Sequence, residues 1–130
     1  MILTINTYLK EVQGKGIGLF STENVKKDTI IAINYPGSYN IFKRDMFHTY
    51  PLHLQGFLEV YGVFKDDGNI YVDIDNLRFT NHSNKPNIGC FDEYCIAIKD
   101  INKDEEITCD YYEIDDHISE FGLNFENKEQ

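Results

Sequence analysis

Lys65-Asp66-Asp67-Gly68 separates two runs of β-forming residues, Phe57-Leu58-Glu59-Val60-Tyr61-Gly62-Val63-Phe64 and Asn69-Ile70-Tyr71-Val72-Asp73-Ile74. Asp-Gly between such runs is among the strongest short-range signals for a β-hairpin, because the favoured two-residue turns need positive φ, which Asp and Gly tolerate. The chain is therefore expected to build on antiparallel strands. Ile2 to Leu9 and Thr29 to Tyr35, the latter stopped by Pro36-Gly37, read as further strands. Ile88 to Phe91 and Tyr94 to Ile98 predict a second hairpin around Asp92-Glu93, and Ile107-Thr108-Cys109 another short strand. Helix is expected in two places. Between Ser38 and Tyr50, Ile41, Phe42, Met46 and Phe47 recur at near-helical spacing before Pro51 closes the segment, and Asp115 or Asp116 is placed to cap a last turn through Phe121 with Gly122 as its stop.

At 130 residues with 42% apolar composition and nine each of Phe and Tyr, the chain has the material for one core. No linker or repeat divides it, so residues 1–125 are read as a single domain and 126–130 as a frayed tail. A formal net charge of -10 argues against direct binding to a phosphate backbone and favours basic partners. No apolar run approaches the roughly 18 residues of a membrane span, and no basic leader precedes Met1-Ile2-Leu3-Thr4, so a soluble intracellular protein of nucleus or cytoplasm is expected. Without an export signal the formal glycosylation acceptor Asn81-His82-Ser83 carries little weight. Three cysteines do not suggest a disulfide framework: Cys90 and Cys95 would face each other across the second hairpin, and are read as buried thiols. His48, His53, His82 and His117 form no metal-ligand pattern, so no metal is expected.

Two polar stretches carry the chemistry. Arg78-Phe79-Thr80-Asn81-His82-Ser83-Asn84-Lys85-Pro86-Asn87 is followed, after a gap that fits one hairpin, by Asp104-Glu105-Glu106-Ile107-Thr108-Cys109-Asp110-Tyr111-Tyr112, and Gly14-Lys15-Gly16-Ile17-Gly18-Leu19-Phe20 lies near the N-terminus. Either stretch alone reads as a polar loop or an edge strand. In this order and spacing they resemble the paired signature of the SET domain, the fold of most protein-lysine methyltransferases. The resemblance covers nearly the whole chain. It implies a mainly β, β-clip type fold of several short sheets with a knot-like C-terminal threading and one or two short helices.

It also implies S-adenosylmethionine as cofactor and a basic, lysine-containing protein substrate such as a histone tail. Lysine methylation is an in-line displacement in which the protein supplies positioning and electrostatics, and the lysine must first lose a proton from an amine whose free pKa is about 10.4. A narrow aromatic channel favours that loss by desolvation. By resemblance Tyr111 is the catalytic tyrosine, whose hydroxyl sits where methyl and amine meet. Lys15, Gly16, Ile17, Gly18, Arg78, Asn81 and His82 hold the cofactor, the glycines by letting backbone approach it closely. Tyr35, in Tyr35-Pro36-Gly37, Cys109 and Tyr112 line the substrate channel, and Phe121 and Phe125 join Tyr112 as candidates for an aromatic lid. Each aromatic also has a plainer reading as packing. Gly14-Lys15-Gly16-Ile17-Gly18 is no dinucleotide fingerprint, because the final spaced glycine and the following helix are missing.

The chain departs from the family at several points. Cysteine-rich flanks are absent, which makes it similar to minimal viral and bacterial SET proteins, some of which form homodimers. Asn84 stands where Cys is common, Asp104 replaces a Gly, and Cys109 is smaller than the Phe of many trimethylating relatives. Two functions compete: an active lysine methyltransferase, and a SET-fold module without catalysis that binds a basic peptide in the same groove.

Overall fold

A computed structural model describes residues 1–115 of the chain. In chain order the strands and helices are β1 (Ile2–Leu3), β2 (Thr7–Val12), β3 (Gly16–Ser21), β4 (Ile30–Ile33), β5 (Tyr39–Lys43), α1 (Leu52–Tyr61), β6 (Val63–Phe64), β7 (Asn69–Asp73), β8 (Asn81–His82), β9 (Ile88–Cys90), β10 (Tyr94–Ala97), β11 (Glu106–Cys109) and α2 (Tyr111–Ile114), with 3-10 turns at Arg44–Thr49 and Asn76–Phe79. The strands form three small sheets, ordered β1-β4-β10-β9, β2-β3-β11-β8 and β5-β7-β6. This is the mainly β architecture of several short sheets that the sequence implies.

The Asp67-Gly68 hairpin forms as expected: Val63 and Phe64 pair with Tyr71 and Ile70, and Gly68 takes φ +84°. The second hairpin also forms, with Cys95 opposite Cys90. Those two cysteines are joined as a disulfide across a Cα–Cα separation of 4.1 Å, which corrects the reading of buried thiols. Adjacent cross-strand positions bring paired side chains close enough for that bond.

Two segments differ from expectation. Ser38–Tyr50 is not a helix: β5 pairs along the whole of β7, from Tyr39 opposite Asp73 to Lys43 opposite Asn69, and only then does a 3-10 turn follow. The apolar spacing misleads because Ile41 and Met46 face solvent and Phe47 alone of that set is buried. Conversely, residues 57–61 are helical rather than strand. Leu54, Leu58 and Tyr61 share one face of α1 and pack with Phe47, Phe64, Ile70 and Val72 to make a second core, and this packing overrides the β preference of Phe, Val and Tyr. The expected N-terminal strand is split at Thr4 to Asn6, so β1 enters one sheet and β2 another.

The main core gathers Leu19, Ile31, Ile88, Ala97, Ile101 and Ile107 between the first two sheets. Two aspartates tie the N-terminal strand to this body. Asp73 accepts from the Met1 ammonium at 2.6 Å, while Asp75 accepts from Leu3 N at 2.7 Å and from Leu77 N at 2.9 Å. A short helix that the sequence reading did not include, α2, closes the described residues. Asp110 caps α2 by accepting from Tyr112 N at 3.0 Å, and Asp115 ends that helix with its carboxylate on Phe64 N. The turn read from Asp116 to Phe121, with its Gly122 stop and the tail at 126–130, lies outside the described residues.

The C-terminus of α1 makes a test of this packing. A Cβ on Gly62 would lie 2.5 Å from the carbonyl oxygen of Leu58 and 2.6 Å from Ile70 Cγ2, whereas one on Gly56, on the exposed face of the same helix, would meet nothing within 4 Å. Gly62→Ala should therefore cost about 2 kcal/mol in urea unfolding, and Gly56→Ala should gain up to about 1 kcal/mol. Shifts of the same sign in both variants would contradict this account of the helix.

Candidate active site

The site begins with two short strands. β8 and β11 run parallel, with Asn81 opposite Thr108 and His82 opposite Cys109, so the two polar stretches lie side by side. The loop between β8 and β9 is fastened to β11 by backbone bonds from Ser83 N to Cys109 O and from Asn87 N to Thr108 O. The buried Asn87 side chain adds three more: its amide donates to Glu106 O at 2.7 Å and Glu105 Oε2 at 3.1 Å, and its oxygen accepts from Thr108 N at 2.9 Å.

Around Glu106 part of the set assigned to the cofactor comes together, without Arg78 and His82. Asn81 Nδ2 donates to Glu106 Oε2 at 2.8 Å and to Ile17 O at 3.2 Å, and Lys15 Nζ lies 3.9 Å from Glu106 Oε1. Gly18 must lack a side chain here, since a Cβ would come within 2.7 Å of Glu106 Oε2 and Val12 Cγ2 and 3.2 Å of Asn81 Nδ2. Lys15, Gly16, Ile17, Gly18 and Asn81 thus form one cluster. Glu106, its hub, belongs to the motif but has no role in the sequence reading; its place opposite Phe20 on β3 comes only with the fold.

His82 serves the next residue group. Its buried Nδ1 accepts from Tyr111 N at 3.1 Å, with an Asp110 oxygen 3.7 Å away, and its Nε2 faces Asn84 Oδ1 at 3.2 Å. This pattern assigns the tautomer with the proton on Nε2, donating to Asn84. The Asn that departs from the family pattern therefore orients the histidine. Asp104, the other loop departure, has φ +68°, a conformation that Gly favours and Asp tolerates.

Tyr111 starts α2 and turns its ring inward. Its hydroxyl donates to Thr80 O at 2.5 Å, and burial, followed by the negative groups around it, pushes its pKa well up, so it remains a neutral phenol. It lines a cavity of about 810 Å³ together with Tyr39, Tyr61, Tyr71, Ile88 and Cys109. Arg78 and Thr80 line the same space, and Arg78 stacks on Phe79 with its guanidinium carbon 4.7 Å from the ring centroid. Arg78 is thus on the cavity side, apart from the Glu106 cluster. Cys109 is buried, and that burial raises its thiol pKa, which keeps it unreactive.

Two channel assignments are placed elsewhere. Tyr35 is 49% exposed and does not line the cavity; Tyr39, four residues on, does. Tyr39 meets Tyr71 edge to face at 5.3 Å, and burial with the nearby Asp73 and Asp92 raises its pKa. Tyr112 is 50% exposed and packs edge-on to His82 at 5.6 Å rather than entering the cavity. Phe121 and Phe125 lie outside the described residues. Tyr39, Tyr61 and Tyr71 carry no motif; alternation along β5 and β7 would have pointed to Tyr39 and Tyr71 had β5 been read as a strand.

Removal of the Asn87 side chain tests the loop anchor. Asn87→Ala leaves a buried Thr108 N–H and Glu106 carbonyl without that amide, and should lower unfolding free energy by roughly 3 kcal/mol in urea titration. A loss below about 1 kcal/mol would show that the backbone bonds suffice.

Comparison with known proteins agrees with this geometry. The SET-domain family profile matches residues 16–112. No curated protein sequence matches the chain. Among solved structures, the Neurospora SET-domain protein DIM-5, a histone lysine methyltransferase, is similar with a TM-score of 0.63 and 24% identity over 84% of this chain and 53% of its own. A Plasmodium falciparum protein described as a histone methyltransferase gives 0.57 and 21% over 84% and 95%. A humanized Chaetomium thermophilum Polycomb Repressive Complex 2, bound to an inhibitor, gives 0.60 and 20% over 82% of this chain but 15% of its own. The chain spans about half the length of the Neurospora protein. With both signature stretches docked along one parallel strand pair and the profile matching most of its length, the chain belongs to the SET-domain family.

Proposed function

We propose that the chain is a protein-lysine N-methyltransferase that uses S-adenosylmethionine and acts on a basic, histone-like protein tail. The carrying observation is Tyr111: a partly buried, neutral phenol whose hydroxyl donates to Thr80 O and whose backbone N–H donates to His82 Nδ1, at the wall of a tyrosine-lined cavity. The family membership and the histone lysine methyltransferase from Neurospora support the same reading.

The residues near Glu106 fit a methionine-like group. Both Asn81 amide hydrogens are used by Ile17 O and Glu106, which leaves its oxygen as an acceptor for an α-ammonium, and Lys15 suits a carboxylate. The bare Gly18 backbone permits close approach. When bound, the cofactor supplies an electrophilic methyl group on a sulfonium. The chain supplies the rest. Aromatic walls exclude water from the substrate amine and favour its neutral form. Tyr111 is too strongly protonated to be a base at neutral pH, so its hydroxyl acts through its dipole, orienting the amine and stabilising the partial charge of the transition state.

Transfer of labelled methyl to core histones and cell lysate tests the reading. Tyr111→Phe should lower kcat by a hundredfold or more, about the loss for one preorganised hydrogen-bonding group, and leave cofactor affinity within about twofold. Wild-type protein that binds peptide but moves no methyl would instead favour the non-catalytic module, and undiminished transfer in the variant would remove Tyr111 from the mechanism.

A further inference from the structure

Sulfur gathers at one wall of the cavity. Cys90, Cys95, Cys109 and Met1 all line it, and Met1 Sδ lies 3.4 Å from Cys95 Sγ. Alternation along the strands places the Cys90–Cys95 disulfide on that wall. Ile88 and Cys90, two positions apart on β9, both line the cavity and Gly89 between them does not; on β10, Cys95 lines it and its neighbours Tyr94 and Ile96 do not. The chemistry proposed above leaves this bond without a task.

Its place in the fold is unlike that of a structural staple. In the chain-entropy account a disulfide stabilises most by closing a long loop, and this one joins residues five positions apart that β9 and β10 already pair, with Phe91 N bonded to Tyr94 O at 2.8 Å beyond them. Opening it leaves the hairpin ladder in place. The two sulfurs also differ in access: Cys95 is 1% exposed, whereas Cys90 is only partly buried against the core. Exchange begins when a thiolate attacks the sulfur it can reach, so Cys90 takes the incoming group and Cys95 leaves. A thiol released into apolar surroundings is a poor nucleophile, which slows the return attack. Cys109, buried and with its thiol pKa raised by that burial, takes no part.

We propose that Cys90 is a modification site at which a small thiol of the glutathione class exchanges into the disulfide and closes the cavity to substrate. The incoming sulfur bonds Cys90 Sγ as the bond to Cys95 breaks, and the proton of the incoming thiol passes to Cys95 Sγ. A second equivalent of thiol removes the group as the small-molecule disulfide and leaves two protein thiols. Closure rests on the cavity being the substrate channel of the proposed methyltransferase; the exchange itself does not.

Glutathione is the probe. Cys95→Ala removes the leaving sulfur and traps the adduct, so this variant should gain the mass of one glutathione from glutathione disulfide, with peptide mapping placing it on Cys90. Cys90→Ser should gain none in native buffer. Wild-type protein held in a glutathione redox buffer, then quenched with acid and alkylated, should carry the same adduct, which keeps the test independent of how the variants fold. In calorimetry the trapped adduct should weaken binding of a lysine-containing histone-tail peptide by about tenfold or more, because it fills space that an entering side chain needs, and a dithiol should restore binding. An adduct on Cys95 or Cys109, none on wild-type protein, or peptide binding that the adduct leaves unchanged, whether strong or absent, would overturn the inference. Methyl transfer by unmodified Cys95→Ala separates the two proposals. Transfer that the adduct does not reduce removes only this one, and peptide binding blocked by the adduct in a protein that moves no methyl removes the catalytic reading while the exchange site stands.

Discussion

The parallel pairing of β8 with β11 is the constraint on which the site depends. Two residues on each side make a weak pair, since parallel ladders are less stable per residue and strands this short bury little. Side chains complete what the backbone begins. Asn87 stitches the loop to β11, Asn81 reaches across to β3 and Glu106, and His82 accepts the amide of Tyr111. Each is a polar group at least partly withdrawn from water, so each is costly when unpaired and effective when paired. These residues therefore fix the loop and the candidate site at once. The loop that positions Tyr111 cannot slip without leaving several polar groups unsatisfied.

The same economy governs charge. A chain of net charge -10 places Glu106 and Asp73 close to its site, yet each meets a cation or amide donors: Lys15 and Asn81 in one case, the Met1 ammonium in the other. Burial raises the pKa of Asp73, and the neighbouring ammonium opposes that rise without cancelling it. For Tyr111, Tyr39 and Cys109 burial is the leading cause of the upward shift. The tyrosines and the thiol of the cavity wall are thus neutral donors, set among acids such as Asp73 and Asp92 that line the same space.

How much of this was legible in the sequence depends on where the information resides. The hairpins were legible because Asp67-Gly68 and the turn at Asp92-Glu93 are local signals, and the two signature stretches because their residue types and spacing are specific. The strand β5 and helix α1 were exchanged for the opposite type because each is decided by partners distant in sequence: β7 for one, the Phe47, Phe64 and Ile70 cluster for the other. Tyr39 was missed for the same reason, since Tyr35 sits in a motif-like triplet and only the pairing of Tyr39 with Asp73 brings that ring to the cavity. The disulfide was unreadable because the sequence places the two cysteines opposite each other but carries no signal for whether facing thiols are oxidised. Asn84 and Asp104 looked like tolerated departures. Asn84 orients His82, and Asp104 occupies a left-handed position while accepting from the Tyr8 hydroxyl at 3.0 Å.

A lysine methyltransferase must satisfy two opposed electrostatic demands. It has to draw a cation from solvent, for which negative charge is useful, and then let that cation become a neutral amine, which nearby negative charge resists. In this chain Asp73 and Asp92 line the same cavity and differ in the partners they meet. The tyrosines remain neutral, and the Met1 ammonium offsets part of the charge of Asp73. Asp92 makes no ion pair among the described residues, and its backbone carbonyl is held by Asn34. Under the proposed function, an acid closer to the amine would strengthen binding of the charged lysine and oppose the deprotonation that transfer requires. On that reading the position of an acid relative to the amine matters more than the number of acids.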